Sequence, residues 1–255
     1  MSAQPSGPAN VPDRLVLWNI GLTLLDVARV NRAAYAEAFR AVTGRPLVQV
    51  PQMAGRTDSE IFFEALAVNA TGPQPGDPAG EELLGRFAAQ LAAAFRARRD
   101  LLTTQGQLMP GALEAVTAVW RLPGLVQTVV TGSIRPNAIE VLRAFGLERY
   151  LDTEIGGFGS EVYPKGAMLL NARGRAAEKY RAGFTEHTTV YIADSIRDVE
   201  AARIGGARPV GVASGRSSAG ELRDAGADMV LDDLADTGAV VAAVERLTVP
   251  IRGAI

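Results

Sequence analysis

Asp194 and Asp198 close the run Tyr191-Ile192-Ala193-Asp194-Ser195-Ile196-Arg197-Asp198. Two carboxylates at this separation could both address one hard cation, directly or through water, as Mg²⁺ sites with few protein ligands do. The same pair also fits a helix N-cap followed by a solvated carboxylate. Thr131-Gly132-Ser133 lies between an apolar run and a helical pattern. Its hydroxyls and backbone N–H groups could hold an anion beside the positive end of a helix, or simply cap that helix. Lys165 stands out because the chain carries only one other lysine, Lys179, among many arginines. Its ammonium could neutralise a bound anion, and the competing reading is a solvated lysine.

These residues need elements to position them. Short apolar runs end abruptly in small or polar residues at Leu15–Trp18 before Asn19, Thr128–Val130 before Thr131, Val190–Ile192 before Ala193-Asp194, Pro209–Val212 before Ala213-Ser214-Gly215, and Met229–Leu231 before Asp232-Asp233. Each reads as a buried strand running into a loop. Helical patterns lie between them: Leu113, Val116 and Trp120 share a face after Pro110-Gly111, and Ile139, Leu142 and Phe145 share another that stops at Gly146. Alternation of strand and helix favours a parallel α/β sheet covered on both faces. Ligands of such sheets gather beyond the carboxyl ends of the strands, which directs attention to Asn19, Thr131, Asp194 and Asp198.

From Val27 to Met109 the pattern changes to helices without a convincing strand. Tyr35, Phe39 and Val42 share a face that ends at Gly44, Thr57-Asp58-Ser59-Glu60 reads as a capping box before Ile61–Val68, and Leu84, Phe87, Leu91 and Phe95 form a third stripe. The Pro- and Gly-rich segment Thr71–Gly80 reads as the loop between two of these helices. The expected organisation is a loose tail over residues 1–13, a core from 14–26 and 110–255, and an all-helical insertion over 27–109.

At 255 residues, 47% hydrophobic and 21% charged, the chain can bury a sizeable core. A net charge of −2 with interleaved signs argues against a nucleic-acid partner. The absence of cysteine removes disulfides, thiolate metal sites and cysteine nucleophiles. No apolar run is long enough to span a membrane and the N-terminus lacks a signal-peptide pattern, so a cytoplasmic location is expected. Trp18 and Trp120 read as core aromatics, and the sole histidine, His187, as structural or exposed.

In order and spacing these signals resemble the haloacid dehalogenase superfamily. Leu15-Val16-Leu17-Trp18-Asn19-Ile20-Gly21-Leu22-Thr23 is similar to its first motif, a hydrophobic strand running into Asp-x-Asp-x-Thr. Thr131-Gly132-Ser133 resembles the second motif, Lys165 the third, and Ala193-Asp194 with Asp198 the fourth. The helical insertion resembles the cap of phosphoglycolate-phosphatase-like members, and Gly55-Arg56-Thr57-Asp58 a cap loop of that group. The resemblance implies a Rossmann-like core with a helical cap, a Mg²⁺ site at Asp194 and Asp198, and anion binding by Thr23, Thr131, Gly132, Ser133 and Lys165. Arg56 would recognise substrate on cap closure, and Arg135 and Arg197 lie near enough in sequence to the pocket loops to touch an anion.

The departures fall where the family chemistry resides. The aspartate that attacks phosphorus is matched by Asn19, the aspartate that shuttles a proton by Gly21, and the glycine that usually follows by Leu22. A neutral amide is a poor nucleophile and a weak cation ligand, and glycine offers no acid or base, although the Gly21 carbonyl could still face a cation. Two readings of different class follow. One is a protein that binds a small phosphorylated or anionic molecule, or a protein partner, without ordinary turnover. The other is a repurposed enzyme using Lys165, Asp194, Glu161 or Tyr163 as acid or base, and weak phosphatase action stands behind both.

Overall fold

Strand β1 (Arg14–Trp18) occupies the middle of the sheet, and its residues Leu15 to Trp18 are completely buried, as a continuous Leu-Val-Leu-Trp run covered on both faces requires. The computed structural model describes residues 11–53, 55–69, 72–73, 75–160 and 164–249. Along the chain follow β2 (Leu25–Asp26), α1 (Ala28–Thr43), α2 (Asp58–Val68), α3 (Pro78–Arg96), α4 (Leu102–Gln105) and β3 (Gln107–Leu108). The core continues with α5 (Ala112–Trp120), β4 (Leu125–Thr131), α6 (Arg135–Ala144), β5 (Gly157–Phe158), α7 (Lys165–Tyr180), β6 (Thr189–Ala193) and α8 (Ile196–Ile204). It ends with β7 (Arg208–Val212), α9 (Ala219–Asp224), β8 (Met229–Leu231) and α10 (Thr237–Leu247).

Six strands pair in the order β5-β4-β1-β6-β7-β8, all parallel. The five apolar runs anticipated from sequence all lie in this sheet. β5 adds a strand that sequence did not reveal, because a two-residue Gly-Phe segment carries no periodicity. From β1 the chain passes to β4 on one side and later to β6 on the other, so the sheet reverses direction around β1. That switch point is where an open α/β sheet forms its crevice.

The helical insertion leaves the sheet through β2 and returns through β3, which pair antiparallel as a short ribbon at its base. This ribbon was not anticipated. Thr57 forms the expected capping box of α2, its side chain accepting from the Glu60 backbone while the Glu60 side chain accepts from the Thr57 backbone. The anticipated loop to Gly80 is shorter, because Pro78 starts α3: its fixed φ and missing N–H suit the first helical position. Tyr35 of α1 meets Phe87 of α3 edge-on at 4.8 Å between ring centroids, and Phe62 of α2 stacks on Phe87 at 4.3 Å. Phe87 thus ties three insertion helices together. These rings belong to the same apolar cluster that covers one face of the sheet, including Val16 and Trp18.

Trp18 is buried as expected and donates its Nε1–H to Gln127 Oε1 at 2.9 Å. Trp120 is not a core residue: at the end of α5 it is 40% exposed and packs edge-on against Tyr150. Residues 1–10 of the expected tail lie outside the described residues, and Asp13 is anchored through its backbone N–H to the Gly124 carbonyl at 3.0 Å. Among the described residues no helix is long and apolar enough to cross a membrane.

Replacing Phe87 by alanine removes a ring shared by three helices and should cost about 3–5 kcal/mol in denaturant unfolding. A loss under about 1 kcal/mol would show that the insertion does not depend on this aromatic contact.

Candidate functional site at the carboxyl ends of the central strands

The loops after β1, β4 and β6 bring Asn19, Thr131 and Asp194 to one end of the sheet, and the first residue of α7 adds Lys165. All four are buried. The Asn19 amide nitrogen donates toward Asp194 Oδ1 at 2.9 Å, the Gly21 carbonyl at 3.0 Å and Thr23 Oγ1 at 3.2 Å. Its amide oxygen accepts from Lys165 Nζ at 3.2 Å. The opposite amide orientation would turn an oxygen toward a carboxylate and a carbonyl, and an N–H toward an ammonium, so this network fixes which way the amide faces. Thr23 Oγ1 donates to the same Asp194 oxygen at 2.8 Å.

Lys165 opens α7, where a positive charge is unfavourable to the helix dipole. Its place is explained by Asp198, which it meets in a buried ion pair. Asp198 also accepts from Tyr191 Oη at 3.1 Å and from Ser195 Oγ at 2.6 Å. A buried pair is tolerated when its remaining lone pairs are satisfied in this way. Lys165 is therefore not a solvated lysine, and Asp198 is not a solvated carboxylate. The N-cap of α8 is Ser195, which accepts from the Asp198 backbone N–H at 3.2 Å. Asp194 faces the cavity, and its carboxyl is raised to about 6, first by burial and then by neighbouring Asp198, against the lowering effects of Thr23, Lys165 and Asn19.

The loop after β1 departs from an ordinary turn. Leu22 has φ +58, a left-handed conformation disfavoured for a branched side chain, and is held by its N–H to the Leu25 carbonyl at 2.8 Å and by Ser214 Oγ on its own carbonyl at 2.7 Å. The position still asks for glycine while the sequence supplies leucine. A Cβ at Gly21 would meet nothing within 4 Å. Gly215 lies against Asp194, with only 2.0 Å between a would-be Cβ and Asp194 Oδ2.

The insertion closes over this end of the sheet. A Cβ on Gly132 would lie 1.9 Å from the Arg56 carbonyl, so the second-motif loop and the loop before α2 touch backbone to backbone. The Asp58 N–H donates to the Gly132 carbonyl at 2.8 Å, its carboxylate accepts from the Ile134 N–H at 2.9 Å at the start of α6, and Ser59 Oγ donates to the Gly159 carbonyl at 3.0 Å. A cavity of about 740 Å³ remains between insertion and sheet, lined by Asn19, Gly21, Thr131, Gly132, Ser133, Arg56, Lys165 and Asp194. Of the residues anticipated for the site, Thr23 and Asp198 stand just behind this wall as hydrogen-bond partners of Asp194 and Lys165.

Arg56 lines the cavity but pairs with Glu64 one turn into α2. Arg135 lies over the Phe158 ring at 5.0 Å, and Arg197 packs under Gly55 of the insertion loop, so neither lines this cavity. Glu161 and Tyr163 lie outside the described residues, and His187 is exposed. Sequence reasoning missed Asp58, Asn137 and Arg216 as wall residues. Asp58 was read as part of a capping box and of a cap loop, without a place in the wall. Arg216 follows a loop that sequence had already placed after a strand, which was the available signal.

A model of the haloacid dehalogenase-like hydrolases matches residues 16–203, well over half of the sequence. The chain belongs to that family. Among solved structures it is similar to a hydrolase from Pseudomonas syringae, at 23% identity and a TM-score of 0.63, covering 91% of this chain and 99% of that one. It is also similar to CbbY from Rhodobacter sphaeroides in complex with phosphate, at 21% identity and a TM-score of 0.58, covering 89% and 96%. An aspartate-to-asparagine mutant of CbbY in complex with xylulose-(1,5)bisphosphate matches at 21% identity and a TM-score of 0.56, covering 88% and 96%. At these identities the likeness speaks to the fold. A comparison with curated proteins found no match.

The family typically uses Mg²⁺. Here the oxygens that would face such an ion, on Asp194 and Gly21, accept instead from the Asn19 amide, and Asp198 is committed to Lys165, Tyr191 and Ser195. Among the described residues no group of three or more His, Cys, Asp or Glu side chains is placed to hold an ion. Mg²⁺ sites often rest on one or two carboxylates with water, so a neutral amide at Asn19 leaves Asp194 as the carboxylate beside it and weakens such a site by one charge.

Burial raises the Asp58 carboxyl to about 6, against the lowering effect of the Ile134 N–H. A carboxyl that holds its proton more tightly folded than unfolded destabilises the native state as pH rises from about 4 to about 6. Asp58→Asn keeps an acceptor for Ile134 and removes the charge. Relative to the parent it should gain on the order of 1–2 kcal/mol at pH 7 and little at pH 4, a figure reduced for a side chain that is only partly buried. Urea unfolding at both pH values measures this, and a difference that does not vary with pH contradicts it.

Proposed function

We propose that this protein binds a small phosphorylated or otherwise anionic molecule without the phosphatase turnover typical of its fold. The observation that carries this reading is the placement of the Asn19 carboxamide, whose oxygen faces Lys165 and whose nitrogen faces Asp194 and Gly21. In-line attack on phosphorus by the family route needs an ionised carboxylate at this position, and proton delivery needs a titratable group where Gly21 stands. Neither is present, and a close analogue of that loss in another enzyme class lowers kcat by roughly 10⁶.

The anion-binding parts are retained. Lys165 has three N–H donors, of which two go to Asp198 and Asn19, and the residue lines the cavity, so a third donor remains for an anion there. The loop Thr131-Gly132-Ser133 contributes hydroxyls and backbone at the start of α6, and Arg216 adds a second cation to the wall. That CbbY, of the same fold, has been seen in complex with phosphate, and a mutant of it with a sugar bisphosphate, supports a phosphorylated ligand by analogy.

A second reading, repurposed catalysis, draws support from Asp194, a cavity carboxyl held at about 6, which is a suitable value for general acid or base work near neutrality. It requires a reaction that continues in Asn19→Ala and stops in Asp194→Ala.

Placing aspartate at both Asn19 and Gly21 tests the first reading, because the space at Gly21 accepts a side chain. With para-nitrophenyl phosphate and Mg²⁺ the double variant should hydrolyse at least about 10³-fold faster than the parent. Equal rates would mean that the absent carboxylates do not limit turnover.

A further inference from the structure

Asn137 occupies the first turn of α6, is 5% exposed and lines the cavity, and its carboxamide makes no hydrogen bond among the described residues. It does not cap its own helix, whose N-terminal N–H groups at Ile134 and Arg135 are taken by Asp58 and Ser160. Its amide is open to the cavity, so a polar group of a bound molecule can reach it. Part of the cavity wall is apolar, with Ala138 and Val141 from the same helix, Ile61 from α2, Phe95 from α3 and Met53 from the insertion loop, while Asn31, Arg32, Gln52 and Asp58 are polar members of the same wall. Of these, Ala138, Val141, Ile61 and Phe95 are almost wholly shielded from solvent yet border the cavity. At about 740 Å³ the space is in the range that encloses a ligand many times larger than a phosphate group.

On the reading that Lys165 holds an anion, we propose that the ligand is an anion carrying an aliphatic or aromatic body with one hydroxyl or carbonyl, the body lying against Ile61, Phe95 and Val141 and its polar group completing the Asn137 amide. A polyhydroxylated sugar phosphate fits less well. Hydroxyls placed against Ile61, Phe95 and Val141 would meet hydrocarbon, and each one desolvated without a partner weakens binding. An amide without a protein partner beside that apolar section favours a ligand with a polar group to match it.

Calorimetric titration of the full chain with inorganic phosphate, methyl, butyl and hexyl phosphate, glucose 6-phosphate and a set of monohydroxyhexyl phosphates tests this. Hexanoate and hydroxyhexanoates form a second arm that tells a phosphate head from a carboxylate. Affinity should rise about three- to fourfold for each methylene buried. Glucose 6-phosphate should bind more weakly than hexyl phosphate, and at least one hydroxyhexyl isomer tighter than hexyl phosphate by tenfold or more. Asn137→Leu should reverse that last preference, and Asn137→Gln should restore part of it. Affinity that is flat with chain length while inorganic phosphate binds overturns the inference and leaves the anion reading standing. No binding of any phosphate or carboxylate overturns both. A hydroxyl preference that is unchanged in Asn137→Leu removes the role assigned to this residue, and the chain-length series on the parent protein decides the apolar wall without any variant.

Discussion

The carboxamide of Asn19 joins two charges that would otherwise be left without intermediaries at the end of the central sheet. Its oxygen accepts from the Lys165 ammonium and its nitrogen donates to the Asp194 carboxylate. In a buried site such oriented dipoles are stronger than they would be at the surface, and an unmatched charge is correspondingly costly. A bound divalent cation would ordinarily gather oxygens from neighbouring loops. Here amide hydrogens gather them, drawing the Gly21 carbonyl, the Thr23 hydroxyl and Asp194 to one point. The loop after β1 thus keeps its shape, including the left-handed Leu22, with a neutral group at its centre.

The closed position of the helical insertion follows from contacts that also shape this site. Gly132 lies under the Arg56 carbonyl, so a residue without a side chain at this point lets the insertion approach. Asp58 then links the two through the Gly132 carbonyl and the Ile134 N–H, at the N-terminal end of α6 where a carboxylate is favoured by the helix dipole. Burial opposes that charge. The carboxyl that joins insertion and sheet is thus also one whose pKa burial raises, and the cavity that Lys165 and Asn137 line lies between those two parts.

Much of the framework was legible in the sequence because it rests on local patterns. Apolar runs ending at Asn19, Thr131 and Asp194 mark strand ends, and the capping box at Thr57 is a local exchange between residues three apart. What sequence did not carry depends on distant partners. The direction of the Asn19 amide is set by residues 146 and 175 positions away, and the burial of Lys165 by Asp198 on another helix. Trp120 was misjudged because periodicity assigns a helix face but does not say where that helix stops being covered. Nothing in the sequence singled out Asn137, since only the fold brings it to the cavity wall.

The central claim, that amide hydrogens rather than a cation organise this site, can be examined by ¹H–¹⁵N NMR of the Asn19 side-chain amide, assigned by its disappearance in Asn19→Ser. The account expects those two amide protons to exchange slowly with solvent and to keep their shifts as Mg²⁺ is raised to millimolar concentration. Saturable displacement or loss of protection of that signal on adding Mg²⁺ would contradict it, because the ion would then have taken the oxygens that Asn19 is held to occupy.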